Sequence, residues 1–141
     1  MTLKDIVSLL EGAAQAQPAV GTVVQNDVFR LNTLPSVRYA AFAWVQGQHT
    51  ASIDGRFITF RFSLFYVDRL TEDLGNQVEV QSVGIEVLQN ILRTLQEEGV
   101  DVDQPTFQPF NQRFSDECAG VYTTVGLTVP VAWSCADIFD N

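Results

Sequence analysis

The chain has 141 residues, of which 46% are hydrophobic and 18% charged, and its 17 acidic and 8 basic side chains leave a net charge of −9. This composition is typical of one globular domain spanning residues 1–141, and it excludes an intrinsically disordered chain. The acidic balance argues against specific nucleic-acid binding, and the lack of an apolar run near ~20 residues argues against a membrane span.

The N-terminal segment predicts a helix followed by a short strand. Apolar residues recur at helical spacing over residues 3–14, and Thr2 is a suitable N-cap for this helix. The helix should end before Pro18, since the residue that precedes a proline is pushed out of the helical region. Residues 22–24 are then expected to form a short strand.

A long β-hairpin is predicted next. Residues 37–46 alternate with both faces largely apolar, which is typical of a central strand. Residues 56–68 alternate between an apolar and a polar face, which predicts the returning strand. Because Asp54-Gly55 is a strong two-residue turn signal, residues 37–68 should form one hairpin with a protruding, polar tip.

The second half predicts a helix and two strands. Residues 78–98 should form a helix capped by Gly99, in which Gly84 lets the helix approach an aromatic side chain of the sheet. The buried stripe of this helix is predicted to consist of Val80, Val83, Gly84, Val87, Leu88, Ile91 and Leu95. Residues 106–114 should form an edge strand, and residues 119–133 a long strand whose odd positions are buried. Together these elements predict an α+β fold, with a mostly antiparallel sheet, a long β-hairpin and two helices packed on it.

The side chains that catalysis or metal binding requires are sparse. His49 is the single histidine and is expected to be an exposed loop residue rather than a catalyst. Asp101 and Asp103 resemble the start of a calcium loop, but Pro105 follows and no liganding glutamate is correctly spaced. No phosphate-binding loop, dinucleotide-binding pattern or nucleophile elbow is present. We therefore expect no enzyme activity, with no catalytic, cofactor-binding or metal-binding residues and no cofactor.

Two further groups of residues have a structural interpretation. Cys118 and Cys135 flank the long strand at opposite ends, which predicts two reduced thiols rather than a disulfide. The aromatic side chains of the hairpin could line a ligand pocket, but core packing is the favoured interpretation. These side chains are Trp44, Phe60, Phe62 and Tyr66.

The order of elements resembles that of the tail-terminator and head–tail joining proteins of tailed bacteriophages, which are small α+β proteins that form rings. The matching pieces are the helix 3–15, the hairpin 37–68 with its tip 47–55, the helix 78–98 and the closing strands 106–133. The stretches FRFSLFYVDRLTED and RFSDECAGVYTTVGLTVPVAW also look like parts of small structural proteins of phages that infect gut anaerobes, including crAss-like phages.

This resemblance implies a structural virion protein that forms a ring at the head–tail junction (the neck) or at the tail end. Its partners would be copies of itself in a 6- or 12-fold ring, together with adjacent portal, neck or tail proteins. DNA would only pass through the ring. The protein would reside in the virion after assembly in the host cytoplasm. The alternative is a monomeric module that binds a small ligand or a protein.

Two sets of residues are candidates for this function. The polar residues of the hairpin arm are expected to contact a neighbouring subunit: Gly47, Gln48, His49, Thr50, Ser52 and Asp54. Acidic residues at the end of the hairpin and directly after it are candidates to face the ring channel, and at least one of them is expected to do so: Asp68, Glu72 and Asp73.

Overall fold

The computed structural model describes residues 1–25, 39–70, 75–113 and 117–131. These residues form helices α1 (Leu3–Gln15) and α2 (Gln77–Glu97) and strands β1 (Thr22–Gln25), β2 (Ala41–Gln46), β3 (Thr50–Ala51), β4 (Phe57–Arg69), β5 (Asp101–Val102), β6 (Phe107–Arg113) and β7 (Glu117–Pro130). The predicted α+β fold class is confirmed. The predicted helices and longer strands occur in the expected order, but the short strands β3 and β5 were not predicted, and the long strand ends at Pro130 rather than residue 133.

The described strands form one open sheet in the order β1-β2-β4-β7-β5, with β3 also paired to β4 and β6 also paired to β7. The β1–β2 pair is parallel and the other described pairs are antiparallel. All 13 residues of β4 are paired with β7, from Phe57 opposite Pro130 to Arg69 opposite Cys118. The longest predicted strand and the returning strand of the hairpin are therefore the centre of the sheet.

The core lies between the two helices and one face of this sheet. The even positions of β4 from Phe60 to Tyr66 and the odd positions of β7 from Ala119 to Val129 are buried there. Thr123 is the polar exception in this pattern. The predicted parity of the long strand is confirmed, and Val125 and Leu127 belong to the core as expected. The core interpretation of the hairpin aromatics is also confirmed, since Trp44, Phe60, Phe62 and Tyr66 are all buried.

Helix α1 forms where its N-cap predicts and is attached to the sheet by one glutamate. The Thr2 side chain accepts a hydrogen bond from the Asp5 backbone N–H at 3.2 Å, and the Asp5 carboxylate accepts one from the Thr2 N–H at 2.8 Å. This capping box pairs two donors that a helix start otherwise leaves without partners. Glu11 Oε1 then accepts hydrogen bonds from Gln25 Nε2 at 2.8 Å and Trp44 Nε1 at 3.2 Å, so α1 is joined to β1 and β2.

Helix α2 approaches the sheet unusually closely at Gly84. A Cβ placed on Gly84 would lie 2.6 Å from Val121 Cγ1 and 2.8 Å from Tyr66 Cδ1, so only glycine fits against this part of β4 and β7. The prediction that Gly84 allows contact with an aromatic side chain is confirmed. Gly99 has φ +92°, the left-handed conformation expected for a C-terminal cap.

Two expectations differ from the structure. The expectation that Val83 belongs to the buried stripe of α2 is wrong, since its side chain is 37% exposed and the helix is oriented so that Leu92 is buried instead. The first hairpin strand begins at Ala41 rather than residue 37, and residues 37–38 lie outside the described part of the chain. Neither described helix is both long and apolar enough to cross a membrane.

We predict that Gly84→Ala destabilises the protein although alanine favours helices. The new methyl group would overlap the buried side chains of Tyr66 and Val121, which cannot move without repacking the core. Overpacking of this kind costs about 1–3 kcal/mol of unfolding free energy. Denaturant unfolding measures the effect.

Gly12→Ala is the matched control, because Gly12 is an exposed residue of α1 and no atom lies within 4 Å of the position that a Cβ would take there. This substitution should stabilise the protein by about 0.5–1 kcal/mol through helix propensity alone. Equal gains at both glycines would contradict the close contact at Gly84.

Candidate functional site

The hairpin arm is folded back on β4 over most of its length. The Gly47 N–H donates to the Arg61 carbonyl at 2.8 Å, and Thr50 and Ala51 form β3, which pairs with Thr59 and Ile58. The expected protruding arm of residues 47–55 is therefore shortened. The part that extends beyond the paired strands is the turn of residues 52–56, which we call the hairpin tip.

His49 fills a gap between β2 and β3. Its Nδ1 accepts a hydrogen bond from the Arg61 backbone N–H at 3.1 Å, and its Nε2 lies 2.9 Å from Gln46 Oε1. The tautomer with the proton on Nε2 satisfies both contacts, because Nδ1 then accepts and Nε2 donates to Gln46. The ring also packs edge-on against Phe60, with centroids 5.3 Å apart. The expectation of an exposed loop histidine is wrong, since the imidazole replaces a missing ladder bond and is partly buried.

A compact hydrogen-bond network holds the hairpin tip. Ser52 Oγ donates to Asp54 Oδ1 at 2.7 Å and accepts from the backbone N–H groups of Arg56 at 3.1 Å and Phe57 at 3.0 Å. Asp54 Oδ1 also accepts from the Arg56 N–H at 3.1 Å, and Gly55 provides the positive φ of the turn. The bond from Ser52, followed by that from Arg56, lowers the pKa of Asp54.

The residue that protrudes furthest from this hydrogen-bonded turn is apolar rather than polar. Ile53 is fully exposed at the summit of the turn, and Phe57 at the start of β4 is 51% exposed. The predicted arm residues do not include Ile53 or Phe57. The available signal was an isoleucine placed between two turn residues, Ser52 and Asp54, immediately before Gly55.

An open groove of about 480 Å³ lies beside the hairpin tip. It is predominantly apolar and is lined by Met1, Thr2, Leu3, Ala51, Gly55, Ile58, Phe60 and Val131. The start of α1, the hairpin tip and the end of β7 therefore meet around one concave surface.

A second exposed apolar surface lies on α2. Val78 is 76% exposed and Ile85 is 37% exposed. These two residues are seven positions apart and therefore lie on one line along the helix. We call this pair the α2 ridge. This surface was not predicted from the sequence, because the apolar periodicity of a helix indicates its buried side and not its exposed one.

The acidic candidates for a channel surface are only partly described. Asp68 lies half-buried on the face of the sheet that bears the helices, and its Oδ1 accepts from the Arg69 N–H at 2.8 Å. Burial raises the pKa of Asp68, and burial together with the nearby Asp68 charge raises the pKa of Tyr66 to about 12. Glu72 and Asp73 lie outside the described residues.

The other chemically distinctive side chains have structural contacts. Asp103 Oδ1 accepts a hydrogen bond from the Gly126 N–H at 2.9 Å, which extends the short β5 pairing with β7. Cys118 is a buried thiol whose Sγ lies 3.5 Å from Tyr39 Oη, whereas Cys135 is not among the described residues. Over the described ranges, His, Cys, Asp and Glu form no group of three or more that could hold a metal ion.

No protein-family model matches the sequence, and no curated protein sequence is significantly similar to it.

We predict that Asp68→Asn stabilises the folded protein at neutral pH. The folded-state pKa of Asp68 is raised above the ordinary aspartate pKa of 3.8. The stability that protonated Asp68 contributes is therefore fully present below pH 3.8 and is lost as the pH rises through the folded-state pKa. Asparagine carries no charge, so the free-energy cost of burying a carboxylate disappears. Its side-chain oxygen can still accept the hydrogen bond from the Arg69 N–H. The gain in unfolding free energy should therefore be seen at about pH 7 and vanish at about pH 3.

Asp54→Asn provides the control of opposite sign. The pKa of Asp54 is lowered, so its contribution is present above 3.8 and is lost as the pH falls through the folded-state pKa. This substitution should destabilise the protein at about pH 7 and have a smaller effect at about pH 3. Urea unfolding at both pH values measures both variants, and effects of the same sign would contradict the assignment.

Proposed function

We propose that this protein is a structural virion protein that forms a ring at the head–tail junction or tail end of a tailed bacteriophage. The observation that carries the proposal is the hairpin tip, where a hydrogen-bonded turn holds Ile53 fully in water and Phe57 partly so. Ring formation would bury these side chains against a neighbouring subunit, and the genome would pass through the ring during head–tail joining.

The rigidity of the tip supports a role in binding. Contiguous exposed apolar surface marks sites of protein contact, and the exposed Ile53 and Phe57 lie next to the apolar groove beside the tip. A turn that is already fixed by Ser52, Asp54 and Arg56 loses little conformational freedom when it binds. The polar arm residues Gly47, Gln48, His49, Thr50, Ser52 and Asp54 then position the tip, and Ile53 makes the contact.

The element order supports the same proposal. The helix, long hairpin, second helix and closing strands follow the order found in the tail-terminator and head–tail joining proteins that this sequence resembles. We propose a homo-oligomer of 6- or 12-fold symmetry that contacts adjacent portal, neck or tail proteins. It would assemble in the host cytoplasm and remain in the virion, with at least one of Asp68, Glu72 and Asp73 toward the channel.

The groove beside the tip favours a second candidate function. The groove has a volume of about 480 Å³ and a mostly apolar lining. A small apolar ligand or an apolar peptide segment would fit a groove of this size and character. A monomeric binding module is therefore the alternative, and the mass of the protein in solution distinguishes it from a ring.

We predict that the purified protein has the mass of a closed ring and that Ile53→Asp reduces it to the 15.6 kDa monomer. A carboxylate at the summit of the tip would have to be desolvated in the interface, whereas it remains in water in the monomer. Because Ile53 is fully exposed, the variant should keep its unfolding free energy within about 0.5 kcal/mol. Native mass spectrometry and light scattering after gel filtration measure the mass.

Gln104→Asp is the matched control, because it adds the same charge at an exposed loop residue outside the hairpin arm. It should leave the ring intact. A monomeric wild-type protein at every concentration would contradict the ring and favour the binding module.

We also predict that the protein does not retain linear duplex DNA. Phosphates are bound by lysine and arginine, and this chain has 8 such residues against 17 acids. An acidic wall would repel the duplex within the screening length of about 8–10 Å. A mobility-shift assay at about 0.15 M salt should show no complex. Micromolar binding under these conditions would contradict a passive channel.

A further inference from the structure

We infer that the hairpin tip of each subunit docks on the α2 ridge of a second copy of this chain, head to tail. The inference rests on the proposed ring and names the surface that receives the tip. The docked pair would bring Ile53 and Phe57 of one copy against Val78 and Ile85 of the next.

The distribution of exposed apolar side chains is the first argument. In the described part of the chain, the large hydrophobic residues left exposed are Ile53, Phe57, Val78, Val83 and Ile85. All of them fall either at or directly beside the hairpin tip or in the first half of α2. A contact between two copies that joins these two segments would cover both.

The two surfaces cannot meet within one subunit. The tip adjoins the end of the central ladder where Phe57 pairs with Pro130. The α2 ridge lies at the other end, because Asn76 Nδ2 donates to the Arg69 carbonyl at 3.3 Å and Gly84 packs on Tyr66. At ~3.3 Å per residue, Phe57 and Tyr66 are about 30 Å apart along β4. Different surfaces at opposite ends are what a repeating head-to-tail contact requires, and such a contact closes into a ring when its rotation permits.

The α2 ridge offers two separated apolar side chains. Val78 and Ile85 lie on one line of the helix, with the small, exposed Ser82 and the partly buried Gln81 between them. The docked tip would therefore meet two apolar contacts about two helical turns apart.

Charge complementarity is the second argument. Arg56 in the tip has a side chain that is 77% exposed and is joined to Asp54 by a surface ion pair of 3.5 Å, which is weak and easily exchanged. Exposed Glu79 and Glu86 each follow a ridge residue in the chain and lie about a quarter of a turn around the helix from the α2 ridge, on the side of Val83. In a chain of net charge −9, copies repel one another in most orientations, and this orientation places a cation against two acids.

Docking into the apolar groove would give a different assembly. The groove is partly walled by Ala51 and Gly55, which belong to or adjoin the tip itself. Two copies that insert their tips into each other's grooves would therefore meet across a twofold axis and form a dimer. A dimer of this kind is one of the outcomes that the substitutions at Ile53 and Ile85 distinguish.

The first test is Ile85→Asp in the full-length chain, measured by native mass spectrometry and light scattering. The ring should dissociate to monomers, as it does in Ile53→Asp. The control is Ser8→Asp, because Ser8 is an exposed helical residue of α1 that lies outside the hairpin tip, the α2 ridge and its two acids. Ser8→Asp should assemble like the wild-type protein. Thermal unfolding of each variant establishes that loss of assembly is not loss of folding.

The second test is charge exchange, which keeps the inference falsifiable even if one substitution disturbs folding. Arg56→Glu and the pair Glu79→Arg with Glu86→Arg should each weaken self-association by about tenfold or more. Combining the three substitutions should restore assembly to near the wild-type level, because the attraction is re-formed with its signs reversed. The absence of rescue would overturn the docking.

The remaining outcomes separate this inference from the proposed function. A ring that survives Ile85→Asp but not Ile53→Asp would retain the ring and overturn docking on α2. A dimer that is sensitive to Ile53 and insensitive to Ile85 would assign the tip to the groove. A monomeric wild-type protein would overturn both proposals.

Discussion

The antiparallel ladder between β4 and β7 is the interaction on which the rest of this structure depends. It pairs all 13 residues of β4, and a shift by one residue would turn every buried side chain of the strand to the opposite face. The ladder places Tyr66 beside Val121 and so creates the surface on which Gly84 of α2 rests. It also separates the hairpin tip from the start of α2, which is why one subunit has two distant surfaces.

Two local sets of hydrogen bonds hold the hairpin tip at the end of this ladder. His49 accepts the Arg61 N–H where no strand residue is placed to do so, which keeps the arm attached to β4. Ser52 and Asp54 then close the turn with hydrogen bonds to backbone N–H groups. These bonds involve only side chains that are adapted to turns, so the exposed Ile53 is not needed to form the tip. An apolar residue that folding does not require is available for a partner.

The excess of acidic residues favours one orientation of neighbouring copies in the proposed assembly. Like-charged copies attract one another only where local charges are arranged to do so, and Arg56 at the tip and Glu79 and Glu86 beside the α2 ridge provide such an arrangement. The apolar contact would supply affinity, while the charges would select the orientation. The same excess of acids would keep a channel wall from binding DNA. The net negative charge of the chain would therefore serve both assembly and genome passage.

The sequence by itself determined the features that repeat at short range. The helix and strand periods, the Thr2 cap, the glycine at position 84 and the turn at Asp54-Gly55 are local patterns, and each predicted its element. Only the tertiary structure decided that His49 is partly buried and Val83 exposed, because these outcomes depend on which strand or helix face lies opposite. The exposure of Ile53 and the pairing of Val78 with Ile85 as a surface were decided in the same way. Burial is a property of the packed neighbours, and hydrophobicity along the chain does not specify them.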